Sequence, residues 1–251
     1  AICGVNGYLA ITGGVKTILY EFEDNETLTG VAFVDAGVYV TSSCAAKGNL
    51  ICLGDAGMRG VGLFGFQEKP PKMVELAWSG PHDPAQPDPI LHVDCLIGAD
   101  GQMLMVSVGL DGRLSFWSYA PLSAASIGGT RLVHRGVYRL DATVVRMHRF
   151  VTVDGNVGLA YMTSEGSLGI LRPLEERSFR QLVSLQTKLI ESLPHPAGLH
   201  PRASRGSPTQ RHWIDGDLVA AAQASLPRLT LARLAPDAAP QVSSLLSIYN
   251  S

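Results

Sequence analysis

The sequence predicts a mainly β chain that ends in an α-helical region. From Ala1 to Pro173, short apolar runs alternate with glycine-containing turns, which is the pattern of antiparallel strands. Beyond Pro173 the apolar spacing changes to that of an amphipathic helix. The chain of 251 residues is 46% hydrophobic and 17% charged, so it has ample apolar material for a packed core. Disorder over the whole length is therefore not expected.

Five hairpins are predicted before Pro173, because in each case two apolar runs flank a turn that contains glycine. The paired runs are 8–12 with 17–22, 31–34 with 38–41, 50–53 with 60–66, 103–108 with 114–119, and 157–161 with 168–171. The proline-rich run 80–89 and the polar run 123–129 are predicted to be loops.

A longer repeat is superimposed on the hairpins. The turn glycines Gly14, Gly57, Gly112 and Gly166 are separated by 43, 55 and 54 residues. Repeats of about 40–50 residues built from four strands are typical of β-propeller blades. We therefore expect residues 1–173 to form three to four blades of a partial β-propeller. Because a propeller closes with about four to eight blades, the ring is expected to be incomplete alone, and the missing blades to precede Ala1 in a longer protein.

Residues 174–251 are expected to form a small helical C-terminal domain. Six apolar side chains line one stripe of its first helix, and Arg177, Arg180, Lys188 and Glu191 lie mostly off that stripe. The stripe consists of Phe179, Leu182, Val183, Leu189, Ile190 and Leu193. It is interpreted as core, with a partner-binding groove as the alternative. A loop over 194–210 and helices over 215–226, 229–234 and 240–248 are predicted to follow.

No catalytic set, cofactor site or metal site is predicted. Gly60, Gly62 and Gly65 match a dinucleotide-binding pattern, but they lie in a run that reads as a strand, without the helix that such a site needs. The Asp215-Gly216-Asp217 pair of carboxylates is attributed to helix capping. The four cysteines form no C-x-x-C pair and are interpreted as buried free thiols in a reducing compartment. The seven histidines show no metal-ligand spacing.

Charge is distributed unevenly along the chain. Residues 1–124 carry 6 Lys or Arg against 13 Asp or Glu, a balance of −7, and the remainder carries 14 against 9, a balance of +5. A basic second half favours contacts with acidic partners or with RNA phosphates. Solvated surface is the alternative for each of these side chains. The candidate contact residues are Arg172, Arg177, Arg180, His195, Arg202, Arg205 and Arg211.

Several stretches resemble one known family. They are PLEERSFRQLVSLQ at 173–186, LPHPAGLHPRASR at 193–205, IDGDL at 214–218, LTGVAFVD at 28–35 and GGTRLVHRG at 128–136. Together they resemble the carboxy-terminal part of the largest subunit of the cleavage and polyadenylation specificity factor. The IDGDL element is similar also in two related families, the large subunit of the damaged-DNA-binding complex and the large propeller subunit of splicing factor three b. Ser204 stands where the first family usually has an aromatic residue, and the last helices diverge.

The resemblance implies a three-propeller protein closed by a helical domain, of which this chain would hold the last blades and that domain. It implies a non-catalytic, nuclear scaffold for messenger-RNA 3′-end processing. The expected partners are a WD-repeat subunit and a zinc-finger subunit that read the polyadenylation signal, with pre-mRNA bound mainly through them. The alternatives are a direct RNA-binding surface in the basic half, or a related adaptor in splicing or DNA repair.

Overall fold

The computed structural model describes residues 1–23, 26–35, 39–57, 60–80, 89–98, 100–140, 142–153, 155–192 and 213–225. The chain divides into two compact units, Ala1–Pro173 and Leu174–Ser251. The first unit is built from antiparallel strands, and the described part of the second contains two helices. The mainly β prediction with a helical C-terminal region is therefore confirmed.

The first eight strands form two separate four-stranded sheets, each with its strands in sequence order. We call them meanders I and II. Meander I contains β1 Ile2–Val5, β2 Tyr8–Gly13, β3 Lys16–Glu23 and β4 Thr27–Asp35. Meander II contains β5 Val40–Ala45, β6 Leu50–Asp55, β7 Val61–Glu68 and β8 Pro71–Trp78.

The remaining strands form a third sheet that contains two further meanders. Meander III contains β9 Ile90–Ile97, β10 Met103–Gly109, β11 Arg113–Ser118 and β12 Val133–Arg139. Meander IV contains β13 Val144–Val151, β14 Val157–Thr163 and β15 Leu168–Leu171. Meanders III and IV are joined where β14 pairs with β9, at Val157 and Ile97. Three four-stranded meanders and one three-stranded meander thus occupy the stretch in which three to four repeats were predicted.

Four of the five predicted hairpins are confirmed, since β2 pairs with β3, β6 with β7, β10 with β11 and β14 with β15. The hairpin of 31–34 with 38–41 is wrong. Its first run lies in β4, which pairs with β3, whereas Val40 and Thr41 of its second run lie in β5, which pairs with β6. The chain changes sheets here. A turn signal between apolar runs does not reveal whether the two runs bond to each other or to other strands.

Meanders I, II and III pack face to face, and the first unit contains three clusters of buried side chains. The cluster between meanders I and II contains Leu19, Ile51, Leu53 and Phe64, and that between II and III contains Leu63 and Met105 among others. The third cluster joins β9, β10 and β11 to β13 and β14. Meander II is therefore covered on both faces. This explains why β6 and the start of β7 are continuous apolar runs rather than alternating ones.

The segment 123–129, predicted to be a loop, contains a short 3₁₀ helix over Ala124–Ser126. The Ser123 hydroxyl accepts a hydrogen bond from the Ala125 N–H. The buried Ser126 hydroxyl donates to the carbonyl groups of Pro121 and Ser123. These serine contacts pair backbone groups of the short helix. The segment has no apolar periodicity, so the sequence pattern does not predict the helix.

The second unit contains α1 Glu176–Ser192 and α2 Gly216–Ser225. On α1, Leu182, Leu189 and Ile190 of the predicted stripe are buried, whereas Phe179 and Val183 are half-buried. Leu185 and Gln186, which the stripe omitted, are also buried. Leu193, the loop over 194–210 and the helices over 229–234 and 240–248 lie outside the described residues. None of the helices that the structure describes is long and apolar enough to span a bilayer.

Candidate functional site

Three of the seven candidate contact residues lie in the described part of the chain. Arg172 follows β15 and is half-buried, and Arg177 and Arg180 are exposed on the first turns of α1. The other four, His195, Arg202, Arg205 and Arg211, lie outside the described residues. The three described arginines come from one short stretch of chain.

Arg177 and Arg180 are three residues apart on α1, so both side chains project from the same side of the helix. The Arg180 Nε donates a hydrogen bond of 2.7 Å to the Glu176 carboxylate, one turn earlier. Both members of this pair are largely exposed to solvent. Exposed pairs of this kind contribute little to stability, so Glu176 holds the Arg180 side chain only weakly.

The glycine motif at Gly60, Gly62 and Gly65 is structural. Gly62 and Gly65 lie inside β7, and a further strand, β8, follows it in place of a helix. Gly60 has a φ of 81°, and a Cβ there would lie 2.8 Å from the Gly80 carbonyl oxygen. The prediction that this motif belongs to a strand is confirmed, and the motif lacks the helix N-terminus that holds a pyrophosphate.

Asp215 is the N-cap of α2, as the sequence predicts. Its carboxylate accepts hydrogen bonds from the N–H groups of Asp217 and Leu218, at 3.1 and 3.2 Å. Its own N–H donates to the Gln186 side-chain oxygen at 2.7 Å, which ties the start of α2 to the buried face of α1. Asp215 is buried and Asp217 is exposed, so the two carboxylates occupy different environments. Their arrangement caps a helix rather than forming an acid and base pair.

Asp215→Ala is expected to lower the free energy of unfolding by about 1–2 kcal/mol, because two backbone N–H groups of α2 lose their acceptor. Asp215→Asn should retain most of the stability, since asparagine also caps helices well. Asp217→Ala is the matched control and should cost only a few tenths of a kcal/mol through the helix dipole. Urea denaturation of the three variants measures these differences, and equal losses for Asp215→Ala and Asp217→Ala would contradict the capping role.

The fold brings together three cysteines that are distant in sequence. Cys44, Cys52 and Cys95 are buried free thiols, as predicted, whereas Cys3 is only half-buried. The Sγ atoms of Cys44 and Cys95 are 3.9 Å apart, and those of Cys52 and Cys95 are 3.5 Å apart. We call these three residues the thiol cluster. Sequence spacing could not show it, because Cys95 reaches the other two across the packed faces of meanders II and III.

All three thiols of the cluster are held in the protonated form. The pKa of the Cys52 thiol is raised well above its ordinary value, first by its hydrogen bond with Cys44 and further by burial, against an opposing effect of Cys95. The pKa values of the Cys44 and Cys95 thiols are also well above the ordinary value, since hydrogen bonds within the cluster act in both directions and burial favours the neutral form. Free thiols in this environment are poor nucleophiles.

A charged pair lies next to the thiol cluster. The Arg149 Nε of β13 donates a short hydrogen bond to the Asp94 carboxylate of β9, the residue before Cys95. Burial alone would lower the pKa of Arg149, but Cys44 and the Asp94 carboxylate raise it, so the guanidinium stays charged. The thiol cluster therefore has both charges of this ion pair within electrostatic range.

The described residues define a mainly β repeat protein made of stacked antiparallel meanders. The chain matches the family described as the CPSF A subunit region over residues 1–221 and belongs to that family. It is 32% identical over 216 residues to cleavage and polyadenylation specificity factor subunit 1 of Arabidopsis thaliana, covering 82% of this chain and 14% of that protein.

Two further relatives have a similar range of identity. Protein CFT1 of Yarrowia lipolytica is 30% identical over 210 residues, which is 83% of this chain and 16% of that protein. The probable cleavage and polyadenylation specificity factor subunit 1 of Caenorhabditis elegans is 29% identical over 245 residues, 87% of this chain and 16% of that protein. The chain thus spans about one sixth or less of the length of these relatives. The family resemblance identified in the sequence is confirmed.

Proposed function

We propose that this chain is part of a non-catalytic scaffold subunit of the machinery that cleaves and polyadenylates pre-mRNA in the nucleus. The observation that carries the proposal is the family match over residues 1–221, together with relatives named as subunit 1 of the cleavage and polyadenylation specificity factor. The two motifs that suggested chemistry support a scaffold role. Gly62 and Gly65 lie in strand β7, and Asp215 caps a helix.

The domain organisation follows from the same proposal. Residues 1–173 are the last blades of a propeller whose ring is completed by other segments of the parent protein, and residues 174–251 are the helical domain that follows them. Meanders that share buried clusters on successive faces behave as one rigid body, because sliding one past another would break its packing. A rigid body with several exposed loops and edges suits a subunit that holds partners at fixed positions.

The partners that we propose are the WD-repeat and zinc-finger subunits that read the polyadenylation signal, with pre-mRNA bound mainly through them. We assign a part of the contact to the basic side of α1, where Arg177 and Arg180 are exposed. His195, Arg202, Arg205 and Arg211 lie outside the described residues and remain proposed contacts on the basis of their charge alone. A basic surface recognises acidic protein side chains and phosphates through the same charge.

The double substitution Arg177→Glu and Arg180→Glu in the full-length parent protein is expected to reduce recovery of the two partner subunits by about tenfold or more. The reason is that like charges placed opposite an acidic partner repel and favourable pairs are lost. Tagged parent protein is recovered from cells, and the partner subunits in the eluate are quantified. The matched control is Lys188→Glu, which changes the charge of an exposed residue on the same helix, about 12 Å beyond Arg180 along its axis.

The same variants distinguish protein binding from direct RNA binding. If Arg177 and Arg180 contact RNA phosphates, the affinity for RNA falls and the slope of log affinity against log salt decreases by about one for each arginine, while the subunits are still recovered. That outcome would show that the two arginines of α1 contact RNA and not a partner subunit. Unchanged recovery and unchanged RNA affinity would show that both arginines are solvated surface. In that case the scaffold proposal would depend on whether the unsubstituted parent protein recovers the two partner subunits.

A further inference from the structure

The thiol cluster combines residues of two sheets at one buried point. Cys44 and Cys52 are directly opposite each other in the β5–β6 ladder, so their side chains lie on the same face of meander II. Cys95 lies on β9 of meander III and belongs to the same buried cluster. The three sulfur atoms all lie within 4.8 Å of one another. Three soft donors thus converge at a position that the proposed scaffold function does not use.

The sulfur separations match those of a metal-thiolate site. A zinc–sulfur bond is about 2.3 Å long, so two sulfur ligands at a tetrahedral zinc are about 3.8 Å apart. The two measured separations, 3.9 Å for Cys44 with Cys95 and 3.5 Å for Cys52 with Cys95, lie close to that value. An ion at the centre of the sulfur triangle therefore needs only small side-chain movements.

A fourth soft donor belongs to the same buried cluster. Met105 is directly opposite Cys95 in the β9–β10 ladder, so both side chains lie on the same face of meander III. Met105 is fully buried and belongs to the cluster that contains the three cysteines. Thiolate and thioether sulfur together favour soft d¹⁰ ions over magnesium or calcium.

The surroundings also place one positively charged group, the guanidinium of the Arg149–Asp94 ion pair, beside such a site. Three thiolates and one divalent ion carry a net charge of −1, which is unfavourable in an apolar core. Arg149 interacts electrostatically with all three cysteines. Its Nη2 atom is buried and makes no hydrogen bond to any residue that the structure describes. A negatively charged metal-thiolate group would supply the missing partner for this donor.

We propose that Cys44, Cys52 and Cys95 form a binding site for one zinc-class metal ion that joins meanders II and III. Each coordination step replaces a sulfur–hydrogen bond with a sulfur–metal bond and releases one proton to solvent. Because the site is fully enclosed, the ion enters while the two sheets come together. It then stabilises their interface, as structural zinc ions do in other folds.

The test uses the full 251-residue chain, purified under reducing conditions, stripped of metal and refolded with Cd²⁺ or Zn²⁺. The expected result with Cd²⁺ is one ion per chain and an ultraviolet cadmium–thiolate charge-transfer band. With Zn²⁺, native mass spectrometry should show one bound ion, and the urea midpoint should rise above that of the metal-free chain. If the chain folds but binds no ion and its urea midpoint does not rise, the three cysteines are closely packed thiols without a metal site. That result would overturn the proposal.

Two variants show whether metal binding depends on the thiol cluster or only on the number of thiols, because each variant keeps three cysteines. Cys52→Ser removes one proposed ligand and should weaken Cd²⁺ binding more than about 100-fold, which exceeds the usual effect of losing a residue outside the ligand set. Cys3→Ser leaves the cluster intact and should bind as the wild type does. Equal affinity of the two variants for Cd²⁺ would contradict the proposal that Cys52 is a metal ligand. If Cys52→Ser fails to fold, the intensity of the wild-type charge-transfer band decides, because it scales with the number of thiolate ligands.

Discussion

Phe64→Ala is expected to lower the free energy of unfolding by about 3–5 kcal/mol, the largest effect that we predict for a single substitution in this chain. Phe64 is fully buried in the cluster shared by meanders I and II. Its ring packs edge-on against Trp78, with ring centroids 5.6 Å apart and planes at 87°. Truncation removes both the apolar burial and this aromatic contact, and it leaves a cavity between two sheets that cannot collapse freely.

The matched control is Phe33→Ala, which makes the same chemical change at a site that is 64% exposed. The Lys16 ammonium group lies 5.0 Å from the centroid of the Phe33 ring. Removing that contact should cost about 0.5–1 kcal/mol. Urea denaturation of both variants measures the difference. Similar losses at the two positions would show that the face shared by meanders I and II is not a packed core.

Gly62→Val is expected to destabilise the chain by about 1–3 kcal/mol or more through overpacking. A Cβ at this position would lie 2.8 Å from Cε2 of Phe64 and 2.8 Å from Cη2 of Trp78, closer than carbon atoms approach in proteins. Both aromatic rings are buried in the core and cannot move aside without disturbing the sheet. Thermal unfolding followed by circular dichroism measures the loss.

Gly4→Val is the control for Gly62→Val. Gly4 lies in β1, and a Cβ there meets no heavy atom within 4 Å. Valine suits a strand, so this variant should be neutral or slightly stabilising. The pair of variants also tests the motif interpretation. Substitution of a dinucleotide-binding glycine would abolish ligand binding without lowering stability, whereas substitution of a glycine required by packing lowers the stability of the fold.

The local pattern of the sequence was sufficient for much of the fold. Alternating apolar runs and glycine turns predicted four hairpins, because pairing across a short turn depends on neighbouring residues. The change of apolar period after Pro173 predicted α1, and an aspartate before an apolar run predicted the cap of α2. The false hairpin between β4 and β5 arose because a turn that leads from one sheet to the next has the same local chemistry as a turn within a sheet.

Which side chains of α1 are buried and which are exposed depended on contacts between elements. Leu185 and Gln186 are buried on α1 although the predicted stripe omitted them. The Gln186 side-chain oxygen accepts a hydrogen bond from the Asp215 N–H at the start of the following helix, and the spacing of apolar residues cannot show this contact. The candidate arginines were selected by charge alone, and the fold showed that Arg177 and Arg180 are exposed on one side of a helix. Exposure depends on what packs nearby, which a linear pattern does not contain.

The sequence by itself therefore determined the mainly β class, the repeat of similar units, the helical region and the family resemblance. Each of these rests on local periodicity or on short runs of adjacent residues. Only the tertiary structure decided which strands share a sheet, which sheet is covered on both faces and which cysteines lie close together. Cys44 and Cys95 are separated by 51 positions, yet their sulfur atoms are 3.9 Å apart. The physical reason is that stacking of two sheets brings residues together across a packed face, and no spacing along the chain encodes that contact.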